Sequence, residues 1–183
     1  MRAFFIVTLL VLTIDFLISS FFLKKTNIWK NEQWQDKYYR VQSDIYHHDL
    51  IPNIEVTESW GGKLKRKIIT NSIGFRDSDQ KKINKSSDKK RILLIGDSFI
   101  EGSGYDYEYT LAGLLSSKLG NKYEILNSAV ESYSPSIYFK KIEHFISLGY
   151  KFDQALIFLD ISDIYDELFI KFDESENIIS ETP

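Results

Sequence analysis

The chain has 183 residues, 43% hydrophobic and 27% charged, enough for one domain with a core and an appendage but too few for two full domains. It has no cysteine, which excludes disulfides, thiolate catalysis and cysteine-ligated zinc, and only three histidines, His47, His48 and His144. The net charge of −3 conceals an asymmetry: 17 Lys/Arg stand against 10 Asp/Glu up to Arg91, and 6 against 16 beyond it. The basic first half suits lipid headgroups or anionic envelope polymers, or is a solvated lysine-rich surface; the acidic second half argues against nucleic acid as a partner.

Ala3 to Leu23 is an apolar run with one charge, Asp15. As a helix it would span roughly 32 Å, the thickness of a bilayer's hydrocarbon core. No small-x-small cleavage site follows it, so the sequence predicts an uncleaved single-pass anchor rather than a signal peptide, with membrane lipid as its partner. Asp15 reads as a tolerated expense or as a contact to a partner helix. Arg2 flanks one end of the run, and Lys24, Lys25 and Lys30 flank the other, so charge alone does not fix its orientation.

Residues 1–25 are thus expected to form the anchor, 26–89 a juxtamembrane segment and linker, and 90–183 an α/β domain. The middle segment carries Trp29, Trp34, Tyr38 and Tyr39, and a hairpin is expected to pair Ile54–Trp60 with Lys65–Thr70 across Gly61-Gly62. Ile92–Ile95 reads as a strand buried on both faces. Leu111, Leu114, Leu115 and Leu119 mark a helix face ended by Gly120, Tyr123–Leu126 a second strand, and Pro135 opens a helix striped by Tyr138, Ile142, Phe145 and Ile146. Ala155–Leu159 reads as a third strand, and a terminal hairpin is expected from Leu168–Phe172 and Ile178–Ser180. Strand, helix, strand, helix, strand implies a parallel sheet.

Ligands of such sheets bind at the carboxyl ends of the strands. Three polar loops meet there: Gly96 to Gly102 (Gly-Asp-Ser-Phe-Ile-Glu-Gly), Asn127 to Ser134 (Asn-Ser-Ala-Val-Glu-Ser-Tyr-Ser), and Asp160 to Asp163 (Asp-Ile-Ser-Asp). A hydroxyl on a tight turn beside backbone donors is what acyl transfer requires. The ordered set, with the upstream Asn71-Ser72-Ile73-Gly74-Phe75-Arg76, resembles the GDSL/SGNH hydrolases of the bacterial, membrane-anchored type.

The resemblance implies a three-layer α/β/α flavodoxin-like parallel sheet, incomplete here, behind one transmembrane helix, with the domain periplasmic or extracytoplasmic. It implies Ser98 as nucleophile of an ester hydrolase acting on lipid or envelope-glycan esters. The amides of Ser98 and Ser132 and the side chain of Ser162 would hold the oxyanion, with Gly96, Asp97, Gly102, Asn127 and Asp163 in support. Serine replaces the family's glycine at 132 and its asparagine at 162. The family's base comes from a late Asp-x-x-His block, and no histidine follows His144, so the chain is expected to be a fragment. Asp44-Ile45-Tyr46-His47 makes His47 the substitute base to consider, while His144 reads as structural or surface. No metal or other cofactor is expected. The alternatives are an O-acyltransferase modifying surface polysaccharide and a non-catalytic envelope binding module. A nucleotide site is disfavoured, since Gly102-Ser103-Gly104 continues into no phosphate-binding loop.

Overall fold

A computed structural model describes residues 2–26, 38–60 and 64–180. The chain divides into two compact units between Gln35 and Asp36. The first holds one helix, α1 (Arg2–Thr26). Phe4, Leu10, Phe16 and Leu17 lie exposed along it. The Thr8 and Thr13 hydroxyls donate to the carbonyls of Phe4 and Leu9, one turn back, at 2.9 and 2.7 Å, which satisfies them on an apolar helix. Among the described residues no helix is long and apolar enough to cross a membrane. The transmembrane anchor expected over residues 3–23 therefore rests on the sequence, and Trp29 and Trp34 lie outside the described residues.

The second unit opens with two antiparallel hairpins. Strand β1 (Arg40–Ser43) pairs with β2 (His47–Leu50), Arg40 opposite Leu50 and Ser43 opposite His47. Strand β3 (Glu55–Trp60) pairs with β4 (Leu64–Ile69), Glu55 opposite Ile69, as expected; the Gly61-Gly62 turn lies outside the described residues. Then come β5 (Lys90–Ile95), α2 (Ser98–Glu101), α3 (Leu111–Leu119), β6 (Tyr123–Asn127), α4 (Pro135–Ser147), β7 (Gln154–Ile157) and α5 (Ser162–Glu167). The expected terminal hairpin follows as β8 (Ile170–Phe172) and β9 (Ile178–Ser180).

The fold is mixed α/β around a three-stranded parallel sheet in the order β6-β5-β7. The first strand in sequence lies in the middle, and Leu94 and Ile95 on it are wholly buried. Ligands of a parallel sheet gather where the order reverses, which here is the carboxyl end of β5.

Two expectations are corrected. The segment before residue 90 is no linker: Tyr39, Leu50, Ile68, Phe75 and Ile83 are buried in the core, and the compact unit begins at Asp36. Helix α3 buries Ala112 and Gly113 most deeply; of the expected leucine face, Leu111 and Leu115 pack partly buried against the core, while Leu114 and Leu119 are exposed. A Cβ on Gly113 would sit 2.0 Å from the carbonyl oxygen of Tyr107, so only glycine allows that approach. Strand β7, the expected third strand, forms but is exposed along its length, and it pairs with β5 on one edge alone among the described strands. Ile157 and Leu159 instead line an open apolar groove of about 600 Å³ against Tyr138, Phe139, Ile142 and Ile146 of α4.

The β1–β2 hairpin is fastened to α4 by a buried ion pair. Lys141 Nζ donates to Asp49 Oδ1 at 2.7 Å and to the Tyr133 hydroxyl at 3.0 Å. The rings of Tyr133, Phe75 and Tyr46 surround it at 4.9, 5.3 and 5.6 Å. Burial lowers its pKa, and the Asp49 charge opposes that fall. Removing one partner leaves the other buried without its counter-charge, which costs about 3–5 kcal/mol. Lys141→Met is therefore expected to lower the urea unfolding midpoint strongly; a midpoint equal to the parent's would show that this pair does not hold the hairpin down.

Candidate functional site

Ser98 is the first residue of α2, immediately beyond the central strand. Asp97 caps that helix: its Oδ1 accepts the Phe99 N–H at 3.0 Å, with Asp97 itself in extended backbone. The helix ends after one turn at Gly102, which has φ 82°. A Cβ there would lie 2.2 Å from Thr110 Cγ2 besides being strained, so the glycine of Gly-Asp-Ser-x-x-x-Gly is required by space and by φ together. Arg76, from the upstream Asn-Ser-Ile-Gly-Phe-Arg stretch, is 1% exposed and closes the turn from behind. Its guanidinium donates to the carbonyls of Glu101 and Gly102 at 2.7 Å each, and to that of Tyr105. Ser98 is half-buried, and its Oγ and N–H have no hydrogen-bond partner among the described residues.

The loop after β6 is bound to this turn. Asn127 Nδ2 donates to the Ile100 carbonyl at 2.8 Å, its Oδ1 accepts the Ala129 N–H at 3.2 Å, and its own carbonyl accepts the Arg76 N–H at 3.1 Å. Glu101, 1% exposed, accepts the Glu131 N–H at 2.6 Å and the Arg40 guanidinium at 3.2 Å. Arg40 also reaches the Glu131 carboxylate at 2.9 Å. Ser132 follows at φ 60°, the left-handed region that glycine fills without cost and that costs other residues about 1–2 kcal/mol. Its N–H is exposed, with no acceptor among the described residues.

The third loop differs from expectation. Ser162 Oγ and N–H both donate to Asp160 Oδ1, at 2.5 and 2.6 Å, so the hydroxyl proton expected at an oxyanion is committed to a carboxylate instead. The cause is the aspartate standing two residues before it: a short carboxylate closes on the next-but-one N–H and hydroxyl. Asp163 is buried, accepting the Tyr138 hydroxyl at 2.9 Å and the Asp160 N–H at 3.2 Å, which makes it an organiser of the loop. One oxygen from each of Asp97, Asp160 and Asp163 lies within 4.8 Å of the others. Burial raises the Asp97 pKa and the neighbouring carboxylates add to it, while the Ser162 hydroxyl lowers that of Asp160, so Asp97 takes up a proton first. A divalent cation could be held by the same three oxygens. Neither carboxylate after β7 could be placed beside Asp97 from the sequence, because only the strand order brings them together.

His47 and His48 stand on β2, against the loop after β6. His48 Nε2 lies 2.7 Å from the Glu131 carbonyl oxygen and must carry the proton, since a carbonyl only accepts. Its Nδ1 lies 2.6 Å from His47 Nδ1, so in the neutral pair the proton between them belongs to His47. The Tyr133 hydroxyl donates to the His48 carbonyl at 2.6 Å. His47, the candidate base, thus contacts the second histidine rather than Ser98. His144 is half-buried beside Tyr46 and Phe145, a structural histidine as expected.

Comparison of the chain with protein-family models, curated proteins and solved structures returns no match.

Burial pushes the His48 pKa down from 6.5 to about 3. The unfolded chain regains the ordinary value and binds the proton sooner, so this contribution to stability is full above about 6.5 and is lost as the pH falls toward 3. The slope for one such group is about 1.4 kcal/mol per pH unit. The difference in urea midpoint between pH 7.5 and 5 should therefore be smaller in His48→Gln than in the parent, and equal differences would contradict a neutral, buried His48.

Proposed function

We propose that the protein is a serine hydrolase of the SGNH type, cleaving acyl esters of lipids or envelope glycans through Ser98. The observation that carries the reading is the placement of Ser98 on a tight turn, with its own N–H and that of Ser132 in the adjoining loop both left unengaged among the described residues. Ser98 sits on a one-turn helix at the carboxyl end of the central parallel strand, its N–H unengaged, and the loop strapped to that helix presents a second unengaged N–H at Ser132. The three-stranded parallel order, with its first strand central, is compatible with the start of a flavodoxin-like sheet and supports the same assignment.

In this reading Ser98 Oγ attacks the ester carbonyl, and negative charge develops on the carbonyl oxygen between the Ser98 and Ser132 amides. Each such donor lowers the barrier by about 3–4 kcal/mol. The acyl group passes to Ser98 as the alcohol leaves, and water releases it. A glycan hydroxyl in place of that water makes the same site an O-acyltransferase, and dependence of product on an added sugar acceptor separates the two. The apolar run of residues 3–23 would hold the domain at a membrane, on its extracytoplasmic side.

Two observations favour a second reading, a non-catalytic envelope binding module: Ser162 is turned onto Asp160, and no base hydrogen-bonds Ser98 Oγ among the described residues. A fluorophosphonate probe decides between them. Labelling of the full chain in detergent, abolished in Ser98→Ala, is the result expected of the hydrolase. A chain that keeps its fold and stays unlabelled is a binding module.

A further inference from the structure

We infer that His48 is a positioning residue: by holding the Glu131 carbonyl it keeps the Glu131–Ser132 peptide in the orientation that makes the Ser132 N–H a donor. The inference rests on the reading of Ser132 as an oxyanion donor, and it assigns the residue that sets that donor's direction.

Val130 to Tyr133 forms a β-turn, closed by the Tyr133 N–H on the Val130 carbonyl at 3.2 Å. Ser132, in the third position, has positive φ, and Glu131, in the second, does not. That sign pattern is type II, which differs from type I by a flip of the central peptide and asks for glycine in the third position. Serine there favours type I, so something outside the turn must hold the central peptide. The His48 Nε2–H on the Glu131 oxygen, at 2.7 Å, does so. The peptide is trans, so its N–H points opposite to its carbonyl. With the oxygen drawn toward β2, the Ser132 N–H is turned away from the hairpin and has no acceptor among the described residues. A flip would send that N–H toward β2 and bring a carbonyl oxygen, which repels an oxyanion, to the place it left.

The rest of the surroundings holds His48 still. The Tyr133 hydroxyl bonds the His48 carbonyl, and the His47 ring meets its other nitrogen. The charged groups acting on it are Arg40 on β1 and Lys141 on α4, beside the neighbouring His47. Glu101 and Arg40 grip Glu131 by its N–H and its carboxylate, which fixes the first half of the turn; His48 grips its carbonyl.

The test uses the full chain in detergent and the rate of fluorophosphonate labelling at Ser98. His48→Phe keeps the ring and removes the donor; labelling is expected to slow at least about tenfold, as for loss of one oxyanion donor. His48→Gln, which restores an N–H, should recover most of the rate. The decisive variant is His48→Phe with Ser132→Gly: glycine holds a type II turn unaided, so the rate should return although the histidine is still absent, which a merely structural role would not allow. Labelling of His48→Phe at the parent's rate, or failure of the glycine to rescue a folded double variant, overturns the inference. If the parent does not label, the hydrolase reading fails by itself, and the turn is then read by NMR. Backbone shifts of Ser132 characteristic of left-handed φ in the parent and lost in His48→Phe support the positioning role, and shifts that persist overturn it.

Discussion

The carboxylate of Glu101 is the point on which the arrangement of the nucleophile turn and its neighbouring loop depends. It sits at the end of the one-turn helix that begins at Ser98, is almost wholly buried, and accepts from the Glu131 N–H and from Arg40. A buried carboxylate is retained only where its charge is compensated and its lone pairs are used. Compensation here comes from β1, some sixty residues upstream, and the acceptor capacity is spent on the loop after β6. The helix bearing Ser98, the loop bearing Ser132 and the upstream hairpin are thereby held in one network. Arg76 works on the other side of the same turn, filling the carbonyls that a one-turn helix leaves without partners.

This explains why the upstream segment is integral to the domain. Its hairpin carries Arg40, His48 and Asp49, which reach Glu101, the Glu131 carbonyl and Lys141 in turn. Each contact satisfies a group that would otherwise be buried and unpaired. An apolar cover could fill the same space, but it could not fix the direction of a peptide plane, and direction is what a hydrogen-bond donor at a reacting centre needs.

Much of the framework was legible. The apolar run before Gly96, the alternation of strand and helix patterns and the Pro135 helix start yielded the parallel sheet and its polar edge; the β3–β4 and β8–β9 hairpins were visible in their turn residues, and the β1–β2 hairpin was not. Ser98, Asp97, Gly102 and Asn127 all lie in that edge, with roles that local chemistry explains. What escaped was the charge buried on long-range contacts. Lys141, Asp49 and Glu101 drew no reading of their burial from the sequence, because a hydropathy pattern values a charge without knowing its partner. The leucine pattern of α3 found the packed face only in part: Leu111 and Leu115 lie against the core, but the close approach to Tyr107 selects the smallest residues, which an apolar pattern does not mark. Ser162 was misplaced because Asp160, two residues earlier, competes for its hydroxyl at shorter range than any substrate could.

The departures fall on one side of the sheet. Ser98 and Ser132 follow β5 and β6, strands whose carboxyl-end residues are buried and whose loops are bonded to one another. Asp160 and Ser162 follow β7, exposed along its length, with Leu159 and Ile161 beside them also open to solvent. A loop is held as firmly as the strand that delivers it, and a parallel strand exposed on both faces lacks the packing that fixes its neighbours. The placement of the Ser98 and Ser132 N–H groups therefore does not rely on whatever covers β7, whereas that of Ser162 does. Covering β7 would bury Asp160 more deeply beside Asp97 and Asp163, and three carboxylates within 4.8 Å would resist that unless a proton or a cation joined them. The orientation of Ser162 is in this way tied to the charge state of its own loop, while that of Ser132 is tied to a neutral histidine and a buried carboxylate already in place.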